Sequence, residues 1–170
     1  METERLILRR YKKEDLEDYH EYISNYDVVK FEPYKPMSLE EAKKDLDYRI
    51  NSDEFIAVET KDNHKMIGNI YFSKRDFNSF EIGYVFNNKY WGKGYASEAC
   101  KAIINEAFSK GTHKIIAHCD PLNPNSWNLL ERLGFEREAH LKENVYFWVD
   151  DDNNPIWKDT FIYGLLKKFD

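Results

Sequence analysis

The sequence predicts an α+β domain in which a mixed, mostly antiparallel central sheet carries helices on both faces. Several short segments alternate apolar and polar residues with the period of two that strands have. Three of them follow one another through tight turns between residues 55 and 86, which predicts an antiparallel meander. A helical segment then separates the meander from the next strand, so that strand can lie parallel to it as a βαβ unit.

The individual elements follow from the spacing of apolar residues. Strands are expected at residues 5–10, 55–58, 66–73, 80–86 and 114–119, and again within residues 135–167 on either side of a turn at residues 150–155. Helices are expected at residues 14–24, from Ser38 onward, and at residues 96–108 and 124–133. Ser38 and Glu41 fit a capping box, and Asn123 fits an N-cap. Residues 26–37 are rich in proline and aromatic residues, which predicts a loop.

Composition and charge limit the class of protein. A chain of 170 residues with 42% hydrophobic residues suits one domain with a sizeable core. The formal net charge is −6 and the basic residues are scattered, which argues against a nucleic-acid partner and favours a cationic one such as an amine. The N-terminus lacks the apolar region of a signal peptide, and no apolar run reaches the roughly 18 residues of a membrane span, so a cytoplasmic protein is expected. Cys100 and Cys119 lie in apolar patterns and are expected to be reduced and structural.

The loop at residues 89–96 carries the clearest chemical signal. It joins a strand to a long helix, and the start of a helix leaves about four backbone N–H groups without partners. Gly92 and Gly94 allow the backbone to curl toward a ligand, so these N–H groups can surround a pyrophosphate. Lys89 and Lys93 can add positive charge. A plain tight turn is the alternative when the loop is considered alone.

Two other phosphate-binding motifs fit this loop poorly. A dinucleotide fingerprint needs a third small residue after Gly94, which Ser97 only approximates, and it needs a βαβ unit instead of a meander before the loop. A P-loop needs Ser or Thr directly after Gly-Lys, whereas Gly94 follows Lys93 here.

The loop is one of several segments, spread along nearly the whole chain, that together resemble the segments of a known protein family and occur in the same order as there. They are residues 3–9, 82–84, 90–99, 123–126, 130–135, 157–160 and 163–166. Together with Lys89-x-x-Gly92-x-Gly94, they resemble the GNAT superfamily of N-acetyltransferases, and in particular its RimJ/RimL-like branch. The family usually has Gln or Arg where this chain has Lys89, a departure of small consequence because backbone N–H groups dominate the motif.

The resemblance implies one N-acetyltransferase domain at residues 1–170 with acetyl-CoA as co-substrate and no metal. It implies that Val85 and Phe86 offer backbone groups to the pantetheine arm. The pyrophosphate would be held by Trp91, Gly92, Lys93, Gly94, Tyr95 and Ala96. Asn123 would bond to the pantetheine arm, with a simple N-cap as the alternative, and Ser126 would lie near the CoA sulfur.

The expected reaction is direct attack of an amine on the thioester. Glu81 is the first candidate for the general base, because alternation places it on the same face as Gly83 and Val85; a solvated strand carboxylate is the alternative. Glu143 and His118 are further candidates. A backbone N–H such as that of Phe86 can stabilise the oxyanion, and Ser126 can donate to the leaving thiolate. The tyrosine acid common in the family is excluded, because Leu130 occupies its position.

The acceptor is the least determined part of the site. Phe31 and Tyr34 in the proline-bounded loop, and Tyr146 with Trp148 near the C-terminus, are candidates for a substrate groove. A primary amine is expected, either a protein N-terminus or a small molecule. An aminoglycoside-type acetyltransferase and a CoA-binding module without catalysis are the alternatives. Neither nucleic acid nor a membrane is expected as a partner, and a monomer and a homodimer both remain open.

Overall fold

One seven-stranded sheet organises the computed structural model, which describes residues 1–167. The strands are β1 (Leu6–Arg9), β2 (Phe55–Thr60), β3 (Met66–Arg75), β4 (Ser79–Phe86), β5 (Lys114–Cys119), β6 (Glu136–Val149) and β7 (Pro155–Leu166). The helices are α1 (Leu16–Ile23), α2 (Tyr26–Val29), α3 (Leu39–Ile50), α4 (Tyr95–Ser109) and α5 (Pro124–Arg132), with 3-10 turns at Lys13–Asp15 and Asn88–Tyr90. The domain expected from the sequence also includes residues 168–170, which lie outside the described residues.

The sheet order confirms the predicted fold class. The strands run β1-β2-β3-β4-β5-β7-β6, and every neighbouring pair is antiparallel except β4 and β5. The long α4 makes the crossover that a parallel pair requires. The final hairpin inserts β7 between β5 and β6, which leaves the 14-residue β6 at the edge.

The parallel pair separates part of the way along its length. Residues 79–81 of β4 pair with residues 114–116 of β5, while β4 continues to Phe86 with β3 as its only partner in the described part of the chain. Beyond residue 116, β5 pairs only with β7 among residues 1–167. The two central strands therefore diverge and open a gap in the middle of the sheet.

Helices cover both faces of the sheet, and each face has its own core. On one face, the apolar side of α4 packs with α5 against the sheet through residues such as Cys100, Ile104 and Leu130. On the other face, α1, α2 and α3 pack through residues such as Tyr22 and Leu46. The side chains of a strand alternate between these two cores, which determines the face on which each site residue lies.

The local signals in the sequence explain where most helices begin and end. Ser38 and Glu41 form the reciprocal capping box that opens α3. The loop expected at residues 26–37 needs one correction, because its first residues form the one-turn helix α2. Asn25 starts this turn by accepting from the Asp27 N–H at 3.0 Å, and Val28 and Val29 become buried. A polar cap and two buried valines thus outweigh the local composition.

Candidate active site

A deep groove starts at the gap between β4 and β5 and has a volume of about 1420 Å³. One end, called the donor end here, is formed by β4, the loop before α4, and the start of α5. The other end, called the acceptor end, is formed by the α2–α3 loop and the β6–β7 hairpin.

The donor end is dominated by exposed backbone. Gly92 and Gly94 adopt φ angles of 73° and 81°, in the left-handed region that glycine tolerates best. Residues 1–167 supply no acceptor for the N–H groups of residues 92–97, and the first helical bond of α4 comes from Glu98 to the Gly94 carbonyl at 3.0 Å. These N–H groups and the dipole of a 15-residue helix favour an anion at this place.

The N-terminal segment fixes the position of this loop. Arg5 donates to the Lys93 carbonyl at 3.0 Å and makes an ion pair with Glu98 at 2.7 Å. The Arg5 guanidinium also lies 4.4 Å from the centre of the Tyr95 ring. Thr3 donates to the same Glu98 carboxylate at 2.6 Å. The resemblance to a family through residues 3–9 thus has a structural reason, because this segment braces the loop.

Trp91 and the two lysines play different parts in the loop. The Trp91 indole N–H donates to the Phe86 carbonyl at 2.8 Å and so folds the loop back onto the end of β4. Lys89 points away from the groove to Glu21, with 2.6 Å between Nζ and the carboxylate. Lys93 lies over the Tyr90 ring, 5.2 Å from its centre. The loop therefore presents N–H groups to the groove more directly than lysine charge.

The residues expected to hold the pantetheine arm surround the gap. Val85 and Phe86 line the groove on the part of β4 that has no partner toward β5. Asn123 is the N-cap of α5, with its Oδ1 accepting from the Ser126 N–H at 3.3 Å. The Ser126 hydroxyl lies 3.1 Å from the Tyr84 hydroxyl, which also donates to the Ser126 carbonyl at 2.9 Å. Tyr84 thus links β4 to α5 across the gap.

Glu81 lies in the groove but is already paired. Its carboxylate contacts Arg75 at 2.9 Å and the His118 Nδ1 at 3.1 Å. The hydrogen bond from His118, with support from Arg75, lowers the pKa of Glu81 below its usual range. His118 also lines the groove, whereas Glu143 is exposed on β6 and lies outside its lining. Glu81 and His118 therefore form a unit in which the carboxylate can orient the imidazole.

The acceptor end includes two of the four aromatic candidates, and Trp148 lies outside the groove lining. Phe31 and Tyr34 line the groove. Tyr146 does not: its side chain is 48% exposed and packs on Trp157, with 5.2 Å between the ring centres. Alternation along β6 explains this outcome, because Val145 and Phe147 point into the groove and Tyr146 points away from it.

Sequence reasoning missed four residues that shape the groove. They are Arg5, Glu32, Arg75 and Tyr84. Tyr84 belongs to segment 82–84 of the family resemblance, which implies no role for it. Arg5 and Arg75 act through tertiary contacts that no local pattern reveals. For Glu32 a weak signal existed, namely a carboxylate between aromatic residues in a proline-bounded loop.

Comparison with known proteins decides the family. Residues 5–136 match the family model described as "Acetyltransferase (GNAT) domain". The chain belongs to the GNAT family. Its identification as an acetyltransferase and its predicted fold are thereby confirmed. No helix within residues 1–167 has the length and apolar character needed to cross a membrane.

Individual relatives and a solved structure show how similar this GNAT chain is to known proteins. It is 32% identical to the uncharacterized N-acetyltransferase YnaD of Bacillus subtilis (strain 168), over 98% of this chain and 96% of the relative. A GNAT-family acetyltransferase structure from Bacillus anthracis superposes with a TM-score of 0.89 at 32% identity, covering 98% of this chain and 97% of that one. The [ribosomal protein uS5]-alanine N-acetyltransferase of Escherichia coli (strain K12) is 33% identical over 61% of this chain and 53% of its own length.

Proposed function

We propose that this protein transfers the acetyl group of acetyl-CoA to a primary amine, either a protein N-terminus or a small molecule. One observation carries the proposal: the same groove joins a loop of unpartnered N–H groups to the Glu81–His118 pair. An anionic donor and a basic acceptor can therefore meet at the gap between β4 and β5.

The donor end is suited to CoA. The N–H groups of residues 92–97 would hold the pyrophosphate, as helix N-termini do for phosphates generally. The edge of β4 at Val85 and Phe86, which has no partner toward β5, would run beside the pantetheine arm; the Phe86 carbonyl already accepts from Trp91, which leaves the Phe86 N–H for the reacting carbonyl. Asn123 uses its Oδ1 for the N-cap, so its side-chain NH₂ group remains to bond to that arm.

The reacting amine must lose a proton before it attacks, and Glu81 with His118 would provide for this. Glu81 is held as a carboxylate by Arg75 and can accept from the His118 Nδ1. His118 would then take the proton on Nε2, as an imidazole oriented by a carboxylate does in other acyl transfers. The N–H of Phe86 would stabilise the oxyanion, and the Ser126 hydroxyl would donate to the leaving thiolate.

Direct attack fits the state of the cysteine in the groove better than an acetyl-cysteine intermediate does. Cys119 lines the groove, but burial raises the pKa of its thiol to about 12. The thiol is therefore protonated at neutral pH, whereas a cysteine nucleophile needs to be a thiolate. The amine itself remains as the nucleophile.

Acetyl-CoA turnover tests the proposal most directly. Thiol release would be followed with a panel of N-terminal peptides, aliphatic amines and aminoglycosides, and acetyl-CoA binding would be measured separately by thermal shift. Turnover with at least one amine is the expected result. Binding without turnover on any amine would leave a CoA-binding module, and absence of binding would overturn the proposal altogether.

A further inference from the structure

The carboxylates of the groove differ in whether they have a cationic partner. Among residues 1–167, six carboxylates line the groove. Five of them contact a basic side chain: Asp27 with Lys30, Asp45 with Arg49, Glu81 with Arg75, Asp120 with Lys158, and Asp159 with His140. Glu32 has neither an ion pair nor a side-chain hydrogen bond with any of residues 1–167. One carboxyl group in the groove thus lacks a basic partner within the described part of the chain.

The surroundings of Glu32 make an unpaired carboxylate costly. It stands in the α2–α3 loop between Phe31 and Pro33, and burial raises its pKa to about 7. Burial, and then the charge of Glu32, raise the pKa of the neighbouring Tyr34 hydroxyl. The charge of Arg49 lowers the pKa of Glu32, which opposes the effect of burial, but the Arg49 guanidinium is paired with Asp45 at 2.6 Å. A bound cation would supply the missing compensation.

Aromatic rings beside Glu32 fit the same kind of ligand. Phe31 precedes it in sequence, Tyr34 follows after Pro33, and both line the groove with it. Aromatic faces attract cations, as the Phe31 ring already shows, with the Lys30 Nζ 5.6 Å and the Lys158 Nζ 5.8 Å from its centre. A carboxylate with aromatic neighbours is a suitable site for an ammonium group.

The loop that carries Glu32 is tied across the groove to the hairpin. Phe31 faces Lys158 of β7, and the Lys35 Nζ lies 5.0 Å from the centre of the Trp148 ring on β6. These contacts bring the walls of the acceptor end together.

Glu81 and Glu32 therefore have separate tasks. Glu81 is neutralised by Arg75 and contacts His118, so it has no full charge to offer an incoming cation. We propose that Glu32 binds a second, non-reacting ammonium group of the acceptor, and that the acceptor is a small dibasic amine. This inference rests on the proposed acetyl transfer. A single unpaired carboxylate fits one extra ammonium group and disfavours a polycationic aminoglycoside.

Matched pairs of acceptors test this inference. Linear diamines of three to six carbons would be compared with the amino alcohols of the same length, in which a hydroxyl group replaces one amine. The measurement is kcat/KM from thiol release at pH 8, where Glu32 is ionised. Because hydrogen bonds to charged groups contribute about 1.5–3 kcal/mol, the best diamine is expected to exceed its amino alcohol by about tenfold or more. A diamine also has two equivalent nitrogens that can react, and the expected difference in kcat/KM is well above this statistical advantage.

Variants then test whether the preference for diamines over amino alcohols depends on Glu32. In Glu32→Gln, the ratio of kcat/KM for the diamine to kcat/KM for its amino alcohol should fall close to one, mainly because the KM for the diamine rises. Glu32→Asp should keep part of the preference for the diamine. Asp27→Asn is the matched control, because Asp27 is an exposed carboxylate on the rim of the same groove, and it should keep the wild-type ratio. Binding of CoA, measured in parallel, would verify that each variant is folded.

Two results would overturn the inference while acetyl transfer stands. One is an equal kcat/KM for diamines and amino alcohols at every length in the wild-type protein. The other is a wild-type ratio that survives in Glu32→Gln. If no amine of any kind is acetylated, the proposed function itself fails, which is a distinct outcome.

Discussion

The two ends of the groove are built from different parts of the polypeptide. The donor end uses backbone N–H groups of one continuous segment, residues 92–97, at the start of α4. The groups proposed to act on the acceptor amine are side chains from separate segments, with Glu32 in the α2–α3 loop, Glu81 on β4 and His118 on β5. A backbone site tolerates many side chains but depends on conformation, whereas a side-chain site depends on individual chemical groups. Substitutions should therefore affect the two ends in different ways.

The largest effect is expected where a single chemical group does the work. Glu81→Gln keeps the size of the side chain but removes the charge that orients His118, so kcat should fall by about 10²-fold or more. CoA affinity should stay the same, because Glu81 lies outside the loop. Steady-state kinetics with thiol detection and titration of CoA binding would measure the two quantities.

A double variant and a control locate this effect. His118→Asn should cost about as much as Glu81→Gln, and the double variant should cost little more, because the two residues are proposed to act as one unit. Glu143→Gln should behave as wild type, because Glu143 lies outside the groove lining. Full activity of Glu81→Gln at neutral pH would place the base elsewhere.

At the donor end the backbone conformation should matter more than any side chain. Gly94→Val puts a β-branched residue at a φ of 81°, with its Cβ 3.4 Å from the Arg5 guanidinium. The left-handed region costs such residues about 1–2 kcal/mol or more, so the loop should shift and CoA affinity should fall by about tenfold or more. Isothermal titration with CoA would measure the loss.

Gly111→Val is the matched control for this substitution. Gly111 has a φ of 92°, with no atom near its added Cβ, and it lies at the other end of α4. It should lose similar stability in thermal unfolding and keep its affinity for CoA. If both variants bind CoA as tightly as wild type, the loop has no part in CoA binding.

The same contrast between a backbone site and a side-chain site explains how much of the molecule could be predicted from the sequence alone. Strand alternation, the period of α4 and the capping box at Ser38 are local, so the sheet and most helices could be predicted. The donor loop could be predicted for the same reason, since its conformation is encoded by neighbouring glycines. The pairing of Glu81 with Arg75 and His118 depends on the register of β3, β4 and β5, which no local pattern specifies. The direction of Tyr146 depends on the register of β6 in the same way.

The smallest expected effect concerns stability, and it has opposite signs at the two groove carboxylates. The pKa of Glu32 is raised by burial to about 7 from an ordinary 4.5, so the folded state binds an extra proton between these pH values. Its contribution to stability is therefore lost as pH rises from 4.5 through 7. Glu32→Gln removes this cost and should be more stable than wild type at pH 8. The gain should be about 1–2 kcal/mol, since a pKa unit is worth about 1.4 kcal/mol and water in the groove reduces the full amount.

Urea unfolding at pH 5, 6, 7 and 8 would follow this difference. The advantage of Glu32→Gln should shrink steadily toward pH 5, where wild-type Glu32 is protonated in the folded state. Glu81 should behave in the opposite way, because its pKa is lowered by His118 and Arg75. Its stabilising contribution is present above pH 4.5 and is lost as pH falls below that value, so Glu81→Gln should be less stable than wild type throughout pH 5 to 8. A pH-independent difference for Glu32→Gln would mean that its carboxylate is already compensated, and the acceptor end would then have no charge waiting for a cation.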